Sequence, residues 1–491
     1  MKQWEEPERE VFMQYDLIVI GSGAAGMTAA VRAKEAGISR ILILEKGPYV
    51  GGNSRAAGGM FTTYGKKAQE AGVTYDTDAF YLEAIRNLKY SINPAVVKRY
   101  IYATGESVDW LADSGLNFET RKMPFGCTMA NIESPELAEP YKTSAPTSHS
   151  YMGTAVVLHL KQLCQTAGIE IRTSVPATGL LVNESGAVIG VQTDQGEITA
   201  KAVILATGGA AGTVASLHEF FPTTWSLEDE NFTFGSRLCV GDGIHMAERI
   251  GADTRRAMGV LIKGPSHLGP GGTQALAYSA DSLVVNQYGQ RFIDESVIFD
   301  YHEALNNIPA HTTYTIADHR IVDALSAKLP PQAKPGTHQT PVSLLEGLAQ
   351  EAASGKNITY IGSSLKEAAA QFGIPYDTLK NTVEAYNEMC QAGKDTLLGK
   401  DARHLQPILE PPFYVLKGIR STDSTRGGVT IDDQFRVLKT DGTVISGLYA
   451  IGDVAGGWAA EIYAPNAAGF TWSFNSGYLC GKIAAEAIQS T

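Results

Sequence analysis

Six residues near the start of the chain, Gly21-Ser22-Gly23-Ala24-Ala25-Gly26, fit the spacing GxGxxG. In that spacing the first glycine turns the chain, the second lets backbone approach a pyrophosphate, and the third lets a helix close on a strand. Its setting gives the motif its weight. It comes directly after the apolar run YDLIVI (15–20) and opens an Ala-rich stretch that stops at Gly37; a second apolar run, Ile41 to Leu44, then ends in Glu45. Strand, glycine turn, helix, strand and acid make one βαβ unit in about 30 residues, with the carboxylate placed to accept ribose hydroxyls. The pattern predicts a dinucleotide site, against the alternative of a generic glycine-rich turn.

The residues beyond Glu45 and Lys46 decide which dinucleotide. A second glycine-rich segment there carries Gly52-Asn53-Ser54 and Ala57-Gly58-Gly59. A nicotinamide dinucleotide has no use for it, whereas a ribityl chain with a three-ring head needs backbone at close range well beyond the pyrophosphate, so FAD is expected. Two distant pieces agree: Ala206-Thr207-Gly208-Gly209 ends an apolar strand, and Gly452-Asp453 ends GLYAIGD, where the carboxylate can bind a ribityl hydroxyl.

These pieces need a large frame. The 491 residues suggest two or three domains, and 44% hydrophobic with 19% charged residues is an ordinary globular composition. Glycine, 51 residues, is in excess, and the motifs above account for part of it. The net charge of -12 without any Lys/Arg cluster argues against a nucleic-acid partner. Cysteines at 127, 164, 239, 390 and 480 form no CxxC, haem-attachment or iron–sulfur pattern, so electrons must travel on another carrier. The N-terminal MKQWEEPEREVFMQ has no apolar signal core, and no run reaches 18 apolar residues; a soluble cytoplasmic protein with no membrane partner is expected.

Along the chain, the pattern is helical from Asp76 to Cys127, loop-like from Met123 to Tyr151, and helical again from Thr154 to Ala167. EIRTSV, GLLVN, AVIGVQT and EITAKAVILAT then read as a β-meander. After the strand SLVVN, helical patterns run to about His404, strands return from Tyr414, and a glycine-containing helix closes the chain. The expected fold class is α/β: a Rossmann-like FAD-binding domain with a β-meander, built from both ends of the chain and interrupted by an α+β insert.

In this order the blocks resemble the flavoproteins of the fumarate reductase/succinate dehydrogenase superfamily, which includes the 3-ketosteroid dehydrogenases. GDGIHMAERIGA (241–252), VVNQYGQRFIDE (284–295), EAYNEMCQAGKDT (384–396) and TRGGVTID (425–432) extend the likeness over nearly the whole chain. The resemblance implies a mobile capping domain at 277–405 between FAD-binding segments 1–276 and 406–491. It adds Val175, Asp242, Ala467 and Ala468 to the expected cofactor contacts. It also implies hydride transfer between flavin N5 and an alkene carbon conjugated to a carbonyl or carboxylate. Membrane succinate dehydrogenases carry the flavin on a histidine near the second glycine-rich block; no histidine lies between residues 1 and 148 here, so FAD is expected to be non-covalent. A single GxGxxG leaves no separate NAD(P)H domain, and an external electron donor is needed: NADH, reduced flavin or a redox protein.

The chain departs from the soluble fumarate reductases where these grip a dicarboxylate. Their HTMGG histidine is replaced by Ser424, in Ser424-Thr425-Arg426-Gly427-Gly428, and their NRLGGN arginine by Ala464. Arg320 in TIADHRIVDAL falls one residue off the register of their acid, and Ile298 comes three residues after Glu295 where their proton relay has arginine. A dicarboxylate needs at least two fixed cations to offset its desolvation, so a more apolar, ring-containing substrate is expected in a pocket near Trp458. Tyr463 is the first candidate for acid or carbonyl donor, against a core or cap-contact tyrosine. Arg426 is a displaced cation or a loop anchor, Arg320 a candidate acid, and Glu295 with Arg291 a proton relay or a structural ion pair. His302, His311 and His319 have spacings that match no helical ligand pair, so no metal is expected, and Gly393-Lys394-Asp395-Thr396 lacks the first glycine of a phosphate loop. The leading expectation is an FAD-dependent ene-reductase or dehydrogenase for an apolar small molecule. The alternatives are a flavin-dependent dehydratase or isomerase, a dicarboxylate reductase, and an electron-transfer flavoprotein.

Overall fold

In the computed structural model, the described residues are 14–73, 76–122, 128–131, 151–221, 235–254, 259–266, 269–297, 312–332, 340–459 and 468–490. Strand β1 (Tyr15–Ile20) lies between β2 (Ile41–Glu45) and β9 (Gly196–Leu205), parallel to both. β6 (Glu170–Thr173) extends the sheet beyond β2, and β16 (Val444–Ala450) extends it beyond β9, also in parallel. Every residue of β2 is buried, as the unbroken run ILILE requires of a strand covered on both faces. β15 (Arg436–Leu438) adds an antiparallel edge, so the two ends of the chain build one sheet.

The meander is β7 (Ala177–Val182), β8 (Val188–Thr193) and β9, antiparallel throughout. β6, expected as its first strand, instead belongs to the parallel sheet. Ser174, at φ +57°, and Pro176 redirect the chain between β6 and β7. Helix α1 (Ala24–Glu35) packs against the closing helix α4 (Ala468–Gln489), while α2 (Tyr151–Thr166) covers the second glycine-rich segment.

The helical reading from Asp76 also fails at its end. Helices Thr77–Asn87, Pro94–Tyr102 and Thr104–Asp113 form, but β4 (Glu119–Lys122) and β5 (Thr128–Asn131) then pair with each other, and β5 with β3 (Met60–Thr62). Cys127 lies outside the described residues.

A second sheet has the order β10 (Gly259–Ser266), β14 (Phe413–Arg426), β12 (Thr312–Asp318), β11 (Leu283–Asn286), all antiparallel, with β13 (Thr359–Gly362) also on β14. Helices Leu344–Ala352 and Leu365–Phe372 and α3 (Tyr376–Ala392) enclose a separate core around Ile316, Leu348, Leu379, Tyr386 and Leu416. β12 and β13 interrupt the expected helical stretch. β10 and β14 lie outside the 277–405 interval, so β14 runs from the second core back to the first. Gly393, at φ +64°, ends α3 with Lys394 N–H bonded to the Met389 carbonyl, which makes that tetrapeptide a helix terminus. No described helix is long and apolar enough to cross a membrane.

Candidate active site

A cavity of about 260 Å³ opens at the carboxyl ends of β1, β2 and β9. The three glycines of the first motif, of which Gly21 and Gly23 line it, are needed for different reasons. Gly21 has φ +107°, and a Cβ there would stand 2.2 Å from the Ala206 carbonyl oxygen; one on Gly26 would stand 2.1 Å from the Gly21 oxygen. The protein's own packing demands both. Gly23, the N-cap of α1 and part of the cavity wall, is different, because its Cβ would meet nothing closer than Ser54 Oγ at 3.4 Å. A cradle that packing alone leaves open, at a helix start whose N-cap residue is a glycine and whose first turn holds no acid, fits the diphosphate of FAD.

The next shell fixes this wall. Glu45 accepts from Ser22 N–H (3.2 Å), Ser22 Oγ (2.5 Å) and Gly47 N–H (2.7 Å), which uses three of about four lone-pair positions and leaves one for a ribose hydroxyl. Ala24 N–H donates to Ser54 Oγ at 3.0 Å, and Gly51 N–H to Ser22 Oγ at 3.3 Å, tying the two glycine-rich segments together. Lys46 pairs with Asp242, and Asn53 Oδ1 accepts from Ser236 N–H. Val175 N–H donates to the Glu45 carbonyl at 3.0 Å, bringing the entry to the meander into the wall. Cys239 also lines the cavity; burial, then the Asp453 carboxylate, push its thiol up to about 12, so it is no thiolate at neutral pH.

Of the expected cofactor residues, Gly21, Gly23, Ala25, Glu45, Lys46, Gly52, Asn53, Ser54, Val175, Ala206, Thr207, Gly208, Asp242, Gly452 and Asp453 line this cavity. Ala24 and Gly26 sit behind it in α1, Ala57 accepts from Gly153 N–H, Gly58 and Gly59 lead into β3, and Ala468 begins α4. Ala467 lies outside the described residues. Sequence reasoning passed over Ser22, Arg55, Ser236, Cys239 and Ser473, all on the wall. Ser22 lies inside the GxGxxG motif and Arg55 between the two halves of the second glycine-rich segment, whereas the other three belong to no local pattern.

Three distant turns meet at the Asp453 end. Thr425, fully buried, accepts from Ala210 N–H at 2.9 Å, and a Cβ on Gly209 would lie 1.9 Å from Thr425 Oγ1 and 3.4 Å from Asp453 Cβ. Gly428 approaches the Val454 carbonyl so closely that its Cβ would lie 2.1 Å away. β14 therefore delivers Ser424, paired with Leu261, and Arg426, 1% exposed, to the junction with the cofactor wall. Trp458 is buried in a stack on Trp472 (5.2 Å, 12°), and Trp472 Nε1 donates to the Gly452 carbonyl.

Two expected catalytic groups are engaged elsewhere. Arg320 is held by Asp318, the N-cap of its own helix, through Nε at 3.0 Å and Nη2 at 2.5 Å, and also donates to the Pro407 carbonyl at 2.9 Å; its side chain is 41% exposed. Burial opposes the Asp318 charge, but Arg320 and the N–H groups of Leu409 and Glu410 hold that carboxyl below the usual range. Glu295 accepts from Arg291 Nε and Nη2 (2.9 and 2.8 Å), Val284 N–H (3.0 Å) and Lys400 Nζ (3.2 Å). Arg291 also pairs with Asp395 at 2.8 Å, and Lys400 donates to Tyr386 Oη at 2.9 Å. Of relay and ion pair, the geometry is that of a closed, buried ion-pair network under β11. Tyr463, Ala464 and Ile298 lie outside the described residues.

A protein-family model described as FAD binding domain matches residues 16–468. A vinyl phenol reductase of Lactiplantibacillus plantarum is 29% identical over 96% of this chain and 96% of its own length. An NADH:fumarate oxidoreductase of Klebsiella pneumoniae is 28% identical over 90% of this chain, which spans only 44% of that longer protein. Among solved structures, a 3-ketosteroid-Δ4-(5α)-dehydrogenase from Rhodococcus jostii RHA1 superposes with a TM-score of 0.76 at 20% identity, covering 97% of this chain and 98% of its own.

Proposed function

The chain belongs to the FAD binding domain family, within the fumarate reductase/succinate dehydrogenase flavoprotein superfamily, and on that premise we propose that it reduces a C=C bond in a mainly apolar, uncharged substrate. It is an FAD-dependent oxidoreductase acting on CH–CH bonds. FAD, when bound and reduced, supplies a hydride from N5 to the β-carbon, while a side chain gives a proton to the α-carbon and an external donor restores the two electrons.

The single observation that carries the substrate class is the state of the cationic positions. Ser424 stands at the junction where the resemblance to soluble fumarate reductases would place a histidine, and Arg320 is engaged by Asp318 at the surface. Among the described residues of β14, Arg426 alone brings a cation to the junction, and one cation does not offset the desolvation of two carboxylates. The vinyl phenol reductase, matched from end to end, is named for an alkene borne on a phenol ring, which supports the same class. The chain's own groups then have three tasks. The turns at Thr425, Gly428 and Asp453 fix the substrate side of the cavity, Arg426 polarises the activating group, and Tyr463 is proposed, on its sequence position, as proton donor.

The test is anaerobic photoreduction of the flavin followed by mixing with 4-vinylphenol, a steroid enone and fumarate in separate syringes. Re-oxidation by an uncharged alkene and none by fumarate is expected. Faster re-oxidation by fumarate would overturn the substrate class, and turnover with oxidised flavin and no donor would favour the dehydratase or isomerase.

A further inference from the structure

The cavity wall carries three carboxylates, Glu45, Asp242 and Asp453, against two cations, Lys46 and Arg55. Lys46 is committed to Asp242, and Glu45 to Ser22 and Gly47. Among the described residues no carboxylate pairs with the Arg55 guanidinium. The side chain is partly buried, and its stem lies on Gly51, where a Cβ would meet Arg55 Cγ at 2.6 Å and Cδ at 3.0 Å. Gly51 in turn adjoins the helix start: its carbonyl oxygen lies 3.8 Å from the Cβ position of Gly23. The backbone of the same turn is anchored, because the Arg55 carbonyl accepts from Thr154 Oγ1 at 2.9 Å on α2.

We propose that Arg55 is the counter-charge for the diphosphate bridge of FAD, acting beside the N-terminus of α1. The proposal rests on the FAD reading. A diphosphate brings two negative charges into a cavity whose wall is already net negative. A helix N-terminus contributes only about half a positive charge. A guanidinium presents a planar fork that matches two phosphate oxygens, and its weak hydration lowers the cost of leaving water. Lys46 does not take this part while it neutralises Asp242.

The experiment is titration of flavin-free protein with FAD and with riboflavin, which has no phosphate, read by quenching of flavin fluorescence at several salt concentrations. The wild type is compared with Arg55→Gln and Arg55→Lys, and the thermal midpoint of each flavin-free protein checks folding. Arg55→Gln should weaken FAD by roughly tenfold to a hundredfold, the loss of one charge-assisted contact. It should also flatten the salt dependence and leave riboflavin unchanged, and Arg55→Lys should recover part of the loss. Equal FAD affinity in wild type and Arg55→Gln, or an equal loss for riboflavin, would overturn the proposal. A fall in NADH affinity with FAD unchanged would overturn it too, by assigning Arg55 to the donor's diphosphate. Failure of the wild type itself to take up FAD would instead strike at the cofactor reading.

Discussion

Gly477 in the closing helix stands against Ala25 in the first: a Cβ at Gly477 would lie 2.2 Å from the Ala25 carbonyl oxygen, and one turn later Gly481 repeats the contact with Ala29, also at 2.2 Å. Two glycines inside a helix cost about 1 kcal/mol each in propensity. Here they let two backbones touch, so the end of the chain braces the helix whose start forms the cofactor wall.

Gly477→Ala is therefore expected to destabilise the protein despite the better helix former, because no real Cβ stands so close to a carbonyl oxygen and overpacking costs about 1–3 kcal/mol. FAD affinity should fall with it, as α1 is displaced at its N-terminal end. Gly179→Ala is the control: its Cβ would meet only Gln192 Cβ, at 3.5 Å. Thermal unfolding and FAD titration of the two variants check this, and equal behaviour would show that α4 does not position α1.

Arg320→Gln addresses proton delivery. Loss of a general acid lowers turnover by about 10²–10⁴-fold, whereas an arginine committed to its own N-cap should change it by less than about threefold. Asp318→Asn is expected to do more harm through stability, since Asp318 is fully buried and accepts from Arg320, Leu409 and Glu410. Steady-state rates beside urea midpoints separate the two effects, and a hundredfold loss in Arg320→Gln at unchanged stability would restore it as the acid.

The cofactor half of the fold was legible because its signals are local. GSGAAG, Glu45 and the buried run of β2 each arise from backbone sterics within a few residues, and they meet in one cavity. The second sheet was less legible, because β12 sits between β11 and β14 and β13 pairs with β14, and β14 lies about 100 and 55 residues beyond them. Glu295 shows the same limit: its motif left a relay and an ion pair with Arg291 both open, and its further partner Lys400 comes from the loop after α3, a contact that no spacing encodes.

The buried network should set an acid limit to stability. Burial works against the Asp395 charge, but the N–H groups of Leu398, Leu397 and Lys400, with Arg291, hold its carboxyl at about 2. An unfolded aspartate titrates near ~3.9. A depressed folded pKa adds stability above the unfolded value and surrenders it as pH falls through the folded one, so the window is roughly pH 4 to 2 and the amount about 2 kcal/mol. Asp395→Asn is expected to lose about 3–5 kcal/mol at neutral pH by leaving Arg291 with one partner fewer, and to unfold less steeply with acid. Urea unfolding at several pH values checks this, and parallel curves for wild type and variant would refute it.

Two glycines of one motif, Gly21 and Gly23, offer the sharpest separation of folding from binding. Gly21→Ala meets the Ala206 carbonyl at 2.2 Å in a backbone conformation that L-residues avoid, so the flavin-free protein itself should be destabilised. Gly23→Ala meets Ser54 Oγ at 3.4 Å and the Gly51 carbonyl oxygen at 3.8 Å, both ordinary van der Waals contacts, so the flavin-free protein should keep its thermal midpoint within about 1 °C. The added methyl then occupies the cradle at the α1 N-terminus and should cost FAD at least about tenfold in affinity, the result of holding a diphosphate off its N–H donors. Riboflavin, which brings no phosphate, should bind Gly23→Ala as it binds the wild type. Should Gly23→Ala unfold as readily as Gly21→Ala, the glycine serves packing, and the diphosphate has to be sought elsewhere along the wall.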